Sequence, residues 1–124
     1  MGRYYSGDIE GKFWFGVQDS SDADFFGVIG REPNYLEYEF GKENLKDIKK
    51  GIKACKKELG GYKKKLDDFF DRESGYNDSM VAKALGVSES RAKHLLMWYA
   101  RLELGEKILD SVEKVGQCHF EAEL

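Results

Sequence analysis

The sequence predicts an α+β protein: an N-terminal antiparallel β-meander, a long amphipathic helix, a helical corner, and a C-terminal helix with a short closing strand. Three observations predict this order. Apolar and polar residues alternate near the N-terminus, apolar residues then repeat at 3-4 spacing, and glycine, serine and asparagine mark helix ends further on. We interpret the 124 residues as a single domain with a β-rich part (1–40), a helical part (41–116) and a closing strand (117–124).

Residues 1–40 have the two-residue alternation and the turn signals of short antiparallel strands. Glycine, aspartate and serine separate short apolar segments, and Pro33 with Asn34 supplies a turn before the last of them. We therefore expect a sheet with one covered face. Four strands are expected. The first begins at Tyr4 and Tyr5, and the second follows the alternation of Phe13, Phe15 and Val17. The third runs from Phe25 to Ile29, and the fourth from Tyr35 to Phe40.

An apolar stripe with strict 3-4 spacing follows, and it places its side chains on one face of an α-helix. As one helix, the stripe would be about 37 Å long at roughly 1.5 Å per residue. Because that length exceeds the width of a small domain, we expect the apolar face to pack against a second copy of the chain. The stripe consists of Leu45, Ile48, Ile52, Cys55, Leu59, Tyr62, Leu66 and Phe69.

Gly60 and Gly61 interrupt this stripe, and each glycine costs about 1 kcal/mol inside a helix. Two interpretations remain: one bent helix, or two helices that meet at the glycines. The stripe keeps its phase across the pair, which favours a single bent helix.

Capping residues predict two further helices that meet in a corner. The segment 80–96 resembles a helix-turn-helix unit, with Ala82 at the helix crossing, Gly86 in the turn and Ala92 packing back from the second helix. The expected boundaries are an N-cap at Asn77 or Asp78, a helix through Leu85, a second N-cap at Ser88 and an end at Gly116.

Such a corner serves either DNA binding or a purely structural role. In a DNA-binding unit, Arg91 would contact guanine and Lys93 a phosphate. The net charge of −3 disfavours this function, because DNA binding normally needs several cationic phosphate contacts. A small DNA-binding regulator is therefore the alternative hypothesis, in which the second helix offers the major groove Ser88, Glu89, Ser90, Arg91 and Lys93.

Charge is distributed unevenly along the chain. Residues 41–75 carry eleven basic and seven acidic side chains, a balance of +4, whereas residues 1–40 and 76–124 have balances of −5 and −2. The basic middle segment predicts either a solvated lysine-rich helix face or a surface that attracts a phosphate-bearing ligand.

The sequence predicts no catalytic residue, no metal ligand and no cofactor. It contains no phosphate-binding glycine loop, and neither His94 nor His119 has a neighbour in sequence that would make a triad or a metal site. No apolar run is long enough to span a membrane. The other candidates for catalytic or metal-binding residues have simpler explanations. We interpret Cys55 and Cys118 as free reduced thiols. We interpret as solvated turn carboxylates Asp8, Glu10, Asp22 and Asp24.

Aromatic and arginine side chains instead indicate a binding function without chemistry. Rings stack on a nucleobase and guanidinium groups pair with phosphate, so a nucleotide-binding protein needs exposed residues of these types. Trp98 and Arg101 lie on consecutive turns of the predicted C-terminal helix. The candidate ligand-binding residues are Tyr76, Asn77, Arg91, Trp98 and Arg101.

Two stretches of the chain, together with its closing strand, resemble a small phage-encoded family, the first-described Thoeris anti-defence proteins. The stretches are residues 2–18, GRYYSGDIEGKFWFGVQ, and residues 98–105, WYARLELG. The resemblance implies an N-terminal antiparallel sheet with C-terminal helices, assembled as dimers that build larger oligomers. It also implies a sponge in the host cytoplasm that sequesters a cyclic nucleotide immune signal, notably a glycocyclic ADP-ribose isomer, without catalysis.

Overall fold

The computed structural model describes residues 3–14, 16–30, 35–73 and 75–124, and the α+β fold class is confirmed. Its strands are β1 (Tyr4–Gly7), β2 (Gly11–Lys12), β3 (Tyr35–Gly41) and β4 (Gln117–Glu123). Its α-helices are α1 (Leu45–Leu59), α2 (Tyr62–Arg72), α3 (Asp78–Leu85) and α4 (Glu89–Val115). The described residues also form two short 3₁₀ helices, Asp22–Phe26 and Lys42–Asn44.

The strands form one antiparallel sheet in the order β2-β1-β4-β3, so the predicted closing strand lies between β1 and β3. It aligns Ala122 with Tyr5 on one side and Phe120 with Tyr38 on the other. The inward-facing side chains alternate with outward-facing ones, as expected for a sheet with one covered face. The covered face consists of Tyr5, Leu36, Tyr38, Phe40, Cys118, Phe120 and Ala122.

The apolar stripe of residues 45–69 is buried inside one copy of the chain. Ile48, Cys55, Leu59 and Leu66 have no exposed surface, because α1 packs against α4 and the first 3₁₀ helix while α2 packs against α3. The expectation that this stripe needs a second copy is therefore wrong. Its burial stabilises the monomer through the hydrophobic effect.

The expectation of a single bent helix is also wrong. Helix α1 ends at Leu59, and Gly60 adopts φ 53° and ψ −134°, a conformation that side-chain-bearing residues rarely adopt. Helix α2 begins two residues later, at Tyr62. The turn at the glycines allows the two segments to fold over different partners instead of projecting about 37 Å as one rod.

The helical corner has the predicted boundaries. The Asn77 side-chain oxygen accepts a hydrogen bond from the Met80 backbone N–H at 2.8 Å, and the Ser88 hydroxyl accepts one from the Arg91 N–H at 3.1 Å. Gly86 and Gly116 follow α3 and α4 in the left-handed conformation, with φ of 70° and 83°. Local capping chemistry therefore sets the limits of both helices.

The segment between β2 and β3 differs from the prediction. The expected strand from Phe25 to Ile29 is wrong, because residues 22–26 form a 3₁₀ helix with hydrogen bonds from the Asp24 N–H to the Ser21 carbonyl at 2.9 Å and from the Gly27 N–H to the Asp24 carbonyl at 3.1 Å. The expected strand at 13–17 is wrong for its described residues, which form no strand, and β2 consists instead of the preceding Gly11–Lys12. A turn follows it, in which the Trp14 carbonyl accepts from the Val17 and Gln18 N–H groups at 3.0 and 2.9 Å.

Long-range contacts explain why this segment curls inward. The Phe26 ring enters the core over two helix glycines, Gly51 of α1 and Gly105 of α4, where a Cβ atom would collide with it. The Asp24 carboxylate accepts hydrogen bonds from the Gly30 N–H at 3.0 Å and from the Tyr38 hydroxyl. The predicted strand residue Phe15, the Pro33–Asn34 turn and Ser74 lie outside the described residues.

Candidate ligand-binding site on helix α4

One face of α4 carries four polar or aromatic residues at 3-4-3 spacing. Arg91, His94, Trp98 and Arg101 fall within about 80° of one another at 100° per residue. Arg91 and His94 are exposed, and Trp98 and Arg101 are half-buried. Three of the predicted site residues therefore share a helix face.

The Arg101 guanidinium is fixed at the C-terminal end of this four-residue face. Its Nε atom lies 2.7 Å from the Asp22 carboxylate, and the Asp22 side chain is only 4 % exposed. Gln18 donates to the other Asp22 oxygen at 2.8 Å and to the Ala100 carbonyl at 3.4 Å. Asp22 is therefore a buried ion-pair partner, and its prediction as a solvated turn carboxylate is wrong.

The same guanidinium contacts two adjacent aromatic rings, Phe25 and Trp98, which also meet each other edge-on with their centroids 5.6 Å apart. The Arg101 Cζ atom lies 4.5 Å from the centroid of the Phe25 ring and 4.7 Å from that of Trp98. The Trp98 indole donates from Nε1 to Nε2 of His94 at 3.1 Å, which orients the ring. Phe25 remains 38 % exposed. We call the group Asp22, Phe25, Trp98 and Arg101 the Arg101 stack.

The Arg101 stack keeps hydrogen-bonding capacity toward solvent. Its ion pair uses Nε, and neither terminal nitrogen of Arg101 donates a hydrogen bond to the rest of the described chain. A guanidinium held by a carboxylate at Nε and packed against two adjacent rings can still offer its terminal N–H groups to a phosphate. The arrangement therefore combines a stacking surface with a cationic donor.

A second aromatic group lies on another face of α4 and contains the predicted site residue Tyr76. The Phe70 and Tyr99 rings stack at 5.6 Å with an interplanar angle of 17°, and Trp14 meets Phe70 edge-on at 5.4 Å. Tyr76 contacts Phe70 at 5.3 Å and Trp14 at 6.0 Å. We call Trp14, Phe70, Tyr76 and Tyr99 the Trp14 cluster. It joins three parts of the chain to α4.

Electrostatic contacts tie the Trp14 cluster to α2. The Tyr99 hydroxyl donates to Asp67 at 2.6 Å, and Lys63 pairs with the other Asp67 oxygen at 2.9 Å. The Tyr99 hydrogen bond and then Lys63 lower the pKa of Asp67. Burial, followed by the Asp67 carboxylate, raises the pKa of Tyr99. The Tyr99 hydroxyl is therefore committed to a structural bond.

The five predicted binding residues are thus divided among three places. Trp98 and Arg101 lie together in the stack, and Arg91 lies two to three turns away on the same face of α4. Tyr76 belongs to the Trp14 cluster, and the Asn77 side chain caps α3. The structure therefore does not bring the whole predicted set into one site.

Sequence reasoning missed Phe25 and Asp22, which complete the stack. Both belong to the 3₁₀ helix Asp22–Phe26, which is far from α4 in sequence, so no local pattern joins them to Arg101. The only available signal was on α4 itself, where Trp98 precedes Arg101 by one helical turn and suggests a cation–π pair.

A shallow cleft of about 390 Å³ lies beside Phe25. This volume is at the lower end of the range for small-molecule sites, which runs from roughly 300 to 1,000 Å³. One lysine and one aspartate make the lining polar at its rim. The cleft is lined by Phe25, Gly27, Asp47, Lys50, Gly51 and Ala54.

The remaining candidates for chemistry are dispersed. Both cysteines are free and buried, and burial raises the pKa of Cys55 to about 12 and that of Cys118 to about 11. His119 lies 3.8 Å from Glu37 on the outer face of the sheet, far in sequence from His94. Within the described residues, no group of three or more His, Cys, Asp or Glu side chains is arranged to hold a metal ion.

None of the described helices combines the length and apolar character that a membrane crossing requires. Comparison with known proteins gives no family assignment, because no protein-family model, curated protein or solved structure matches the chain. The chemistry of the Arg101 stack is therefore the basis for a functional hypothesis.

Proposed function

We propose that this protein binds a cyclic nucleotide immune signal, a cyclic ADP-ribose isomer, and sequesters it without catalysis. In this proposal it is a phage anti-defence protein that acts in the host cytoplasm, as its resemblance to the Thoeris anti-defence family implies. The observation that supports the proposal best is the Arg101 stack, where a guanidinium with free outer donors packs against two partly exposed rings.

The stack offers the two interactions that a nucleotide needs. A base that stacks on an aromatic side chain gains about 1–3 kcal/mol. The outer edge of Arg101 offers paired N–H donors to a phosphate, and its position is already fixed by Asp22. Arg91 adds a second cation roughly 15 Å along the helix axis, at about 1.5 Å per residue. We propose Phe25, Trp98, Arg101 and Arg91 as the ligand contacts.

Self-association is part of the same proposal, although the buried stripe no longer argues for it. The cleft beside Phe25 is open, whereas protein sites usually bury about 70–90 % of a small ligand's surface. A second copy placed over the cleft would supply the missing wall. Light scattering with and without ligand tests this, because a lone 14.2 kDa particle in both conditions contradicts a shared site.

Sequestration is tested by recovery of intact ligand. The protein is incubated with a cyclic ADP-ribose isomer, filtered to remove free ligand, and then heated. We expect mass spectrometry to find unaltered ligand only after heating. Degraded ligand would instead indicate an enzyme, and ligand that passes through the filter would contradict binding.

Two single substitutions locate the site. Trp98→Ala should weaken binding by at least about tenfold, because it removes a stacking ring. Tyr4→Ala is a matched control, since Tyr4 is an aromatic residue 52 % exposed on β1, a different element of the fold. Equal losses of affinity in the two variants would argue against the Arg101 stack.

The alternative function is a DNA-binding regulator, and the corner between α3 and α4 is the observation that favours it. The turn at Gly86 and the cap at Ser88 have the expected geometry, and the side chains at 88–91 and 93 are exposed. A double substitution, Arg91→Gln with Lys93→Gln, should abolish duplex DNA binding if the second helix enters the major groove.

A further inference from the structure

Helix α1 presents a row of lysines, of which only Lys50 lines the cleft beside Phe25. At 100° per residue these lysines fall within a sector of about 120°, which excludes the buried Ile48, Ile52 and Cys55. All of them are exposed. We call this row the lysine ridge, and it consists of Lys46, Lys49, Lys50, Lys53, Lys56 and Lys57.

None of the lysines of the ridge forms an ion pair with a described residue. Seven α-helical lysines lie outside the ridge: three of them form ion pairs, and Lys64, Lys65, Lys83 and Lys93 have none within the described residues. The three paired lysines, Lys63, Lys107 and Lys114, each have a carboxylate four residues away, at distances of 2.9, 3.8 and 3.2 Å. Asp47 and Glu58, the acidic residues of α1, lie to one side of the ridge.

The ridge works against the stability of its own helix. Lysines three and four residues apart on one face repel one another, and this arrangement destabilises a helix. The packing of α1 does not require it, because the apolar face is already satisfied by α4. A row of unpaired like charges that the fold does not need indicates a surface for a partner of opposite charge.

The charge distribution over the rest of the molecule favours the lysine ridge as the surface that a polyanion approaches. Helix α1 carries six lysines and two acidic residues, a balance of +4, in a chain whose net charge is −3. The outer face of the sheet is acidic instead, with Glu37 directly opposite Glu121 across β3 and β4. An extended anion is therefore attracted to one side of the protein and repelled from another.

We propose that the lysine ridge docks on the phosphate backbone of duplex nucleic acid, independently of base sequence. Lys46 and Lys57 are about 17 Å apart along the helix axis, so the ridge is a straight row of point charges that can follow successive phosphates. The ridge contains no arginine, amide or aromatic residue to read base edges.

The chemistry of the ridge favours this partner over a lipid surface. Helices that bind a bilayer in its plane insert an apolar face between the headgroups. The apolar face of α1 is buried in the protein core, and no large exposed apolar side chain belongs to this helix. A lipid surface could therefore gain only electrostatic contacts with the ridge.

Fluorescence anisotropy with a labelled random-sequence DNA duplex and a salt titration tests the docking. We expect binding at about 50 mM salt that weakens steeply toward 200 mM, with a log–log slope of up to about −5 if all lysines of the ridge contact phosphates. Substituting Lys49, Lys53 and Lys56 by glutamine should reduce the slope by about 2.7 and weaken binding at least tenfold. These positions are chosen because Lys50 lines the cleft beside Phe25.

A matched control removes the same number of charges elsewhere. Substituting Lys12, Lys63 and Lys114 by glutamine changes the net charge equally, and we expect it to leave the slope unchanged. Circular dichroism of both triple variants verifies that they fold. If the two triple variants had equal effects, binding would depend only on the net charge of the protein, and the proposal would be overturned.

Three other results would also overturn it. The first is no duplex binding by the unaltered protein at low salt, and the second is loss of binding only in the Arg91→Gln/Lys93→Gln variant. The third is binding to vesicles with about 30 % phosphatidylserine but not to DNA. Retention of cyclic nucleotide by the ridge variant is expected in every case, so the docking proposal and the sequestration proposal can fail separately.

Discussion

The two aromatic groups on α4 are built from similar residues, yet their contacts suit them to different tasks. In the Arg101 stack the two rings meet edge-on, and both contact a cation whose outer nitrogens have no partner in the described chain. In the Trp14 cluster the rings contact one another, and the Tyr99 hydroxyl is bound by Asp67. The difference indicates that polar capacity left unused, and not aromatic content, distinguishes a candidate binding surface from a structural joint.

The largest effect on stability is expected for Arg101→Ala. It leaves the Asp22 carboxylate buried without its cation, which should lower the free energy of unfolding by about 3 kcal/mol in urea denaturation. The double variant Asp22→Asn/Arg101→Gln should lose less, because no charge is left unpaired. A single variant as stable as the unaltered protein would show that the pair does not hold the loop.

Phe70→Ala should have the next largest effect. It removes contacts to Trp14, Tyr76 and Tyr99 at once and should cost about 2 kcal/mol, less than for a fully buried ring. Affinity for the cyclic nucleotide, measured by calorimetry at a temperature where the variant is folded, should remain unchanged. If Phe70→Ala lost as much ligand affinity as Trp98→Ala, the Trp14 cluster could not be distinguished from the Arg101 stack as a purely structural group.

Phe25→Ala should give the reverse result. Because the ring is 38 % exposed, its removal should cost only about 1 kcal/mol of stability, mainly from the lost cation–π contact. Ligand affinity should fall about tenfold through the lost stacking surface. Thermal unfolding and calorimetry on the same sample give both values. An unchanged affinity would remove Phe25 from the proposed site.

Tyr99→Phe should have the smallest effect, about 0.5–1 kcal/mol at neutral pH, because it removes one hydrogen bond to a partly exposed carboxylate. The pKa of Asp67 is lowered in the folded protein, so its contribution to stability is present above the unfolded pKa near 3.8 and is lost as the pH falls through the folded value. Urea denaturation at several pH values should show the difference between variant and unaltered protein shrinking below about pH 4. A difference that grows in acid would contradict this coupling.

Those features of the fold that depend on local chemistry could be predicted from the sequence. Asn77, Ser88, Gly86 and Gly116 set helix ends through bonds to residues three or four positions away, so their types alone were informative. The alternation in residues 35–40 and 117–123 likewise predicted β3 and β4. These patterns contain their cause within a few residues.

Features that depend on distant partners could not be predicted. The segment around Phe25 has the composition of a strand, but it forms a 3₁₀ helix because Asp22 reaches Arg101 and Asp24 reaches Tyr38. The phase of the apolar stripe continues across Gly60, although the backbone there turns the chain onto different partners. Side-chain periodicity reports which face is buried, but it does not report where the chain changes direction.

The same limit applies to the candidate site. Trp98 and Arg101 were predicted because they are one turn apart on α4, whereas Phe25 and Asp22 join them only through the tertiary fold. Tyr76 and Asn77 have suitable chemistry for a ligand, but the fold uses them for the Trp14 cluster and for the α3 cap. Residue type predicts what a side chain can do, and its neighbours decide which of those uses it has.

The central position of β4 has a consequence for the order of folding. Strands β1 and β3 do not pair with each other, because β4 lies between them and pairs with both. In its pairing with β1, β4 places Ala122 opposite Tyr5. Pairing β1 with β4 closes a loop that includes almost all of the intervening chain, and this costs chain entropy, so local contacts among the helices and between β1 and β2 are favoured to form first. During synthesis on the ribosome, β1 and β3 would thus remain without their shared partner until residues 117–123 emerge, and the pairing that joins all four strands would come after the helices.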